Sequence, residues 1–178
     1  GSAMPQQVLT NDDLSKMVET SDDWITTRTG IKARRLAGDN ETTATLSTLA
    51  ARNAMEAAGI SPEELDLIIV GTITPEMVFP STACFVQDAI GAKNAWAFDL
   101  SAACSGFVYA LSIAQQFMET GRSKTALVIG AETLSKITDY TDRTSCILFG
   151  DGAGAVILQA RDNTDKGILY STMAADGS

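Results

Sequence analysis

Cys104 stands in the run Asp99-Leu100-Ser101-Ala102-Ala103-Cys104-Ser105-Gly106-Phe107, where small residues separate two apolar patterns. Ahead of it, Ala95 to Leu100 reads as a short strand. Behind it, Phe107, Ala110, Leu111, Ala114, Phe117 and Met118 recur at helical spacing, and Gly121 follows as a helix-ending residue. A thiol at the first turn of a helix faces unpaired backbone N–H groups and the positive end of the helix dipole, which favour thiolate, the nucleophilic form. Strand, sharp turn and helix is a layout that exposes a nucleophile, and the small neighbours and Gly106 leave room for a substrate. A second reading stands beside this one: most free cysteines are small buried apolar residues.

The other reactive groups narrow the chemistry. The sequence holds no histidine, so Cys–His and Ser–His pairs cannot form within this chain, which disfavours a cysteine hydrolase. Cys84, Cys104 and Cys146 are odd in number and widely spaced, which indicates neither a zinc site nor a disulfide framework and fits reduced thiols in a cytoplasmic setting. Cys84 and Cys146 read as packing residues. Trp24 and Arg28, four residues apart, share a helix face. They could clamp a flat ring and its phosphates, or be a half-buried indole beside a surface cation. Arg28, Lys32, Arg34 and Arg35 form a basic island suited to a phosphate, or an ordinary solvated face. A net charge of −9 argues against general nucleic-acid binding, and no apolar run reaches the length of a membrane span.

The elements that must position these groups alternate. Asn11 is expected to cap a short helix to Val18, and Ser21 a second one carrying Trp24 and Arg28. Thr42 to Ala58 is expected as a long Ala-rich helix ended by Gly59, Ser61-Pro62-Glu63-Glu64 as a capping box, and Leu67 to Val70 as a buried strand. The apolar loop from Thr72 to Ser81 needs a covering surface. A helix over 81–90, a strand over 126–130, a polar loop with Arg143, and strands over 145–149 and 168–173 complete the expectation. Gly150 to Ala155 lacks the spacing of a nucleotide loop and reads as a tight turn between strands. Residues 162–167 read as a turn, and Asp162-x-x-Asp165 lacks the later Glu of a calcium loop. The alternation implies an α/β layered domain, a mostly parallel mixed sheet with helices on both faces.

Four ordered segments resemble β-ketoacyl-acyl carrier protein synthase III, a thiolase-like family. They are the Asp99–Phe107 run; Thr20-Ser21-Asp22-Asp23-Trp24-Ile25 with Thr27-Arg28-Thr29-Gly30-Ile31; Thr141-Asp142-Arg143; and Phe149-Gly150-Asp151-Gly152-Ala153-Gly154-Ala155. The resemblance implies an acyltransferase that starts fatty-acid synthesis by a decarboxylative Claisen condensation. It implies Cys104 as the acyl-accepting nucleophile, Trp24, Arg28 and Arg143 as the coenzyme A site, and Phe79 as a lining of the partner subunit's acyl pocket. It also implies acetyl-coenzyme A and acyl carrier protein as partners, a homodimer, and no metal or redox cofactor.

The resemblance covers only the N-terminal half of that fold. The His and Asn that the family uses over the malonyl carbonyl belong to the other half, so this polypeptide alone is expected not to complete the condensation. Its central helix is expected to need cover from a second chain or the other half. Gly1 to Met4 is read as a tag remnant ahead of a domain spanning residues 5–178, with the family's first strand missing. The alternative is a non-catalytic scaffold that keeps only a coenzyme A groove.

Overall fold

The computed structural model describes residues 1–162 and 166–178. Its centre is a five-stranded sheet in the order β1-β7-β6-β4-β5, formed by β1 (Ser2–Ala3), β4 (Leu67–Gly71), β5 (Trp96–Leu100), β6 (Thr125–Thr133) and β7 (Asp151–Gln159). β4 pairs in parallel with both β5 and β6, while β7 runs antiparallel to β6 and β1 antiparallel to β7. A separate two-stranded antiparallel sheet pairs β2 (Gln7–Thr10) with β3 (Ala33–Leu36).

The central strands are apolar throughout because both faces are covered. Ile68 and Val70 of β4, with Leu127 and Ile129 of β6, join one core beneath α3 (Thr43–Ala58) and α4 (Thr82–Ile90). Their neighbours Leu67, Ile69, Ala126 and Val128 point the other way and pack under α5 (Gly106–Glu119) against Ala110 and Ala114. A third, smaller core gathers Leu14 of α1 (Asn11–Leu14), Ile25 of α2 (Asp22–Thr29), Cys146 and Ile147.

Several expectations hold at the level of caps. Ser21 accepts from the Trp24 amide and Gly59 closes α3 in the left-handed region at φ 66°, while Thr42, expected as the first residue of α3, instead caps it by accepting from the Thr45 amide. Others need correction. Thr10, not Asn11, caps α1, which ends at Leu14 rather than Val18. Residues 145–148 form turns, and neither 149 nor 168–173 belongs to a strand. Gly150 to Ala155 is no turn between strands: from Asp151 onward it is the first part of β7, and Ala153 and Gly154 pair with Ala3 and Ser2 of β1. Ser2 and Ala3 form β1, and the Gly1 amine donates to the Ala155 carbonyl at 2.8 Å, which leaves the reading of residues 1–4 as a tag remnant untested. Residues 163–165, within the expected turn, lie outside the described residues.

Candidate active site

β4 and β5 end on the same rung, Gly71 opposite Leu100, and β6 passes it at Gly130, opposite Gly71. The connections that follow these strands, 72–81, 101–105 and 134–150, therefore all leave from the carboxyl edge of the parallel strands. This is where open α/β sheets place their ligands. One hydrogen-bonded knot ties the edge together. Glu132 accepts from the Thr72 hydroxyl at 3.2 Å, from the Ile73 amide at 2.9 Å and from the Thr74 hydroxyl. Thr74 in turn accepts from the Thr133 amide at 2.9 Å.

Cys104 lies on this edge and is exposed. It sits in a single 3-10 turn, Ala103–Ser105, that feeds directly into α5. The preceding Ala103 adopts φ 45°, a region that costs a non-glycine residue roughly 1–2 kcal/mol and sharpens the turn out of β5. Gly106 does not supply that freedom, since its backbone is ordinary right-handed helix at φ −54°. The glycine that matters is Gly71: a Cβ there would lie 2.8 Å from the Gly106 carbonyl carbon and 3.0 Å from the Phe107 amide nitrogen. The first turn of α5, and with it Cys104, is seated directly on the end of β4. Asp99, five residues before the thiol, accepts from the Thr82 and Ala83 amides at 2.7 and 2.8 Å. It caps α4 in place of Ser81, which makes no side-chain cap bond.

Trp24, Arg28 and Arg143 come together as one group. The Arg28 guanidinium carbon lies 4.3 Å from the Trp24 ring centroid and that of Arg143 lies 5.1 Å from it. Arg28 also donates to the Trp24 carbonyl at 3.3 Å, and Arg143 to the Glu19 carbonyl at 3.1 Å, which pins the 134–150 connection to the α1–α2 link. Both cations are exposed and the indole is half-buried. The rest of the basic island does not join them: Arg34 is buried, Lys32 is paired with Asp22 at 3.2 Å, and Arg35 donates to the Pro5 and Gln6 carbonyls.

Phe79 stands apart, 80% exposed, beside Val78 at 95%, at the tip of the 72–81 loop. Cys146 is buried, and burial pushes its thiol above the ordinary value; half-buried Cys84 accepts from the Ser81 hydroxyl at 3.2 Å. Among the described residues no cluster of three or more His, Cys, Asp or Glu could hold a metal, and no helix is long and apolar enough to cross a membrane.

The profile of 3-oxoacyl-[acyl-carrier-protein] synthase III matches residues 98–177. The β-ketoacyl-[acyl-carrier-protein] synthase III of Xanthomonas campestris pv. campestris strain 8004 is 57% identical over 178 residues, all of this chain and 54% of that protein. The crystal structure of 3-oxoacyl-[acyl-carrier-protein] synthase III from Aquifex aeolicus VF5 superposes with a TM-score of 0.89 at 57% identity, covering 92% of this chain and 53% of that one. Its counterpart from Pseudomonas aeruginosa PAO1 gives 0.88 at 42% identity, over 94% and 52%. The chain thus spans about half the length of the relatives it matches, and its sheet and two helical layers are thiolase-like. Identity along the whole chain, with the same backbone beneath it, makes this a member of the 3-oxoacyl-[acyl-carrier-protein] synthase III family.

Proposed function

We propose that this chain supplies the acyl-capture part of a β-ketoacyl-acyl carrier protein synthase III-like acyltransferase, with coenzyme A thioesters as substrates. The observation that carries the reading is the exposed Cys104 at the head of α5, on the sheet edge from which the Arg143 connection also leaves. Trp24 and Arg143 offer a flat face and a cation for the adenine end of coenzyme A, and Arg28 a second cation for its phosphates. With the carrier so held, the Cys104 sulfur attacks the acetyl carbonyl carbon. The Cys104 backbone N–H faces the developing oxyanion, the bond from carbonyl carbon to coenzyme A sulfur breaks, and coenzyme A leaves as the thiol with the proton Cys104 gave up. The condensation that follows releases carbon dioxide from malonyl-acyl carrier protein, and its enolate attacks the acyl-cysteine. This chain has no imidazole to serve that step, so alone it is expected to stop at the acyl-enzyme.

The exposed Val78 and Phe79 support association with a second copy, where Phe79 would border the partner subunit's acyl pocket. A cytoplasmic setting fits three free thiols. Intact mass after mixing with acetyl-coenzyme A tests the proposal. A single acetyl adduct, lost in Cys104→Ala, is the expected result. Coenzyme A binding without any adduct would replace the reading with a non-catalytic scaffold.

A further inference from the structure

Behind the Trp24 cluster lies a buried polar network that the reaction described above does not use. Arg34, only 5% exposed, sits on β3 with its guanidinium turned inward. One terminal nitrogen donates to the Asn11 side-chain oxygen and to the Ile147 carbonyl, both at 2.9 Å, and the other to the Leu9 carbonyl at 3.2 Å. Asn11, 1% exposed, donates through its amide nitrogen to Asp22 at 2.8 Å and to the Ile31 carbonyl at 2.7 Å. Asp22 is the first residue of α2, two before Trp24, and also accepts from Thr26 at 3.2 Å and Lys32 at 3.2 Å.

The two branches end on the two walls of the cluster. Through Asn11 and Asp22, Arg34 holds the N-terminus of α2, which carries Trp24 and Arg28. Through the Ile147 carbonyl it holds the 134–150 connection, four residues past Arg143. No other side chain bonds to both Asn11 and that connection among the described residues. A buried guanidinium is costly to place, and a planar fork is the group able to satisfy three carbonyl-type acceptors at fixed angles. This one joins the two elements whose relative placement sets how the Arg143 guanidinium meets the Trp24 indole, now 5.1 Å from its ring centroid.

We propose that Arg34, acting with Asn11, is a positioning residue for coenzyme A: it sets the separation between Trp24 on α2 and Arg143 on the opposite connection. The proposal rests on the coenzyme A reading of that cluster, and the test keeps the two apart. Trp96→Phe leaves Trp24 as the sole tryptophan and serves as the reference. In that background, Arg34→Lys keeps the buried charge but loses the fork, and Asn11→Ser cuts the branch to α2 while leaving Arg34 in place.

Two readouts follow. Without ligand, Trp24 emission is expected to shift in both variants. With ligand, the dissociation constant for coenzyme A, read by calorimetry, is expected to rise about tenfold or more, as loss of hydrogen bonds to charged groups predicts. Acyl transfer to Cys104 from a short acetyl thioester of N-acetylcysteamine, which has no adenine, is expected to stay within about twofold of the reference, at the level of a neutral surface change. Unchanged emission and affinity in a folded variant would overturn the proposal, and so would a loss of transfer from the N-acetylcysteamine thioester as large as the loss of coenzyme A affinity. If the reference itself binds no coenzyme A, the functional reading fails, while the emission shift still decides whether Arg34 sets the cluster. If Arg34→Lys does not fold, Asn11→Ser carries the test by the same criteria.

Discussion

Asp22 and Asp142 show how single carboxylates steady the walls around Trp24. Hydrogen bonds from Asn11 first, then Lys32, hold Asp22 below its ordinary 3.8, and those from Ser145 and Thr144 do the same for Asp142. A carboxyl that is more acidic folded than unfolded adds stability that is complete above its unfolded value and is lost as pH falls through the folded one. Trp24 emission in a Trp96→Phe background is therefore expected to stay flat from about pH 8 to about pH 5 and to change only below about pH 4. A titration centred near neutrality, followed by fluorescence, would contradict that assignment. Cys104 was legible at this scale because small residues frame it in the sequence. Arg34 was not. Its neighbours Lys32 and Arg35 are exposed cations, and only the pairing of β2 with β3 turns its side chain inward.

Among the elements, α5 depends most on a partner distant in sequence. Its first turn rests on Gly71, where a methyl group would meet backbone that cannot give way. Gly71→Ala is expected to lower stability by about 1–3 kcal/mol, the usual cost of overpacking, with a slower acetylation of Cys104 as the turn shifts. Melting temperature and adduct formation read the two effects. The strands β4, β5 and β6 and the helices α2 to α5 were readable from periodicity and caps, because each is bounded by local signals such as Ser21, Thr42 and Gly59. The β2–β3 pair was not, since two helices separate its strands and β3 carries Arg34 and Arg35. β7 was misread for a related reason. Its glycines suggest a turn locally, yet the segment is held extended by pairing with β6 and β1, a long-range demand that no window around Gly152 reveals. The opposite error fell on 145–149, where Cys146 and Ile147 are apolar because they fill the third core and not because they form a strand.

For the whole molecule, the two faces of the sheet are unequally covered. Two helices lie over one face, while α5 alone lies over the other and leaves Val108 exposed. β5 closes the sheet as an edge strand, with Trp96 packed on Phe98 and Phe117 at 5.6 and 4.9 Å. Next to this edge the 72–81 loop carries its exposed apolar tip. Large apolar side chains in that arrangement mark association surfaces. Replacing both Val78 and Phe79 by Ser is expected to shift the chain toward monomer in sedimentation experiments, with the melting temperature nearly unchanged because neither side chain packs internally. Equal sedimentation of both proteins would place the contact elsewhere.

The common rung on which β4 and β5 stop has a practical outcome. With reactive groups gathered at one rim, the opposite rim, where the turns near Asn94 and Ser123 lie, stands a full strand height from the thiol, about 16 Å for five residues. A dye, a surface tether or an affinity handle anchored at Asn94 would report on or immobilise the molecule from behind, leaving the rim that carries Cys104 unobstructed.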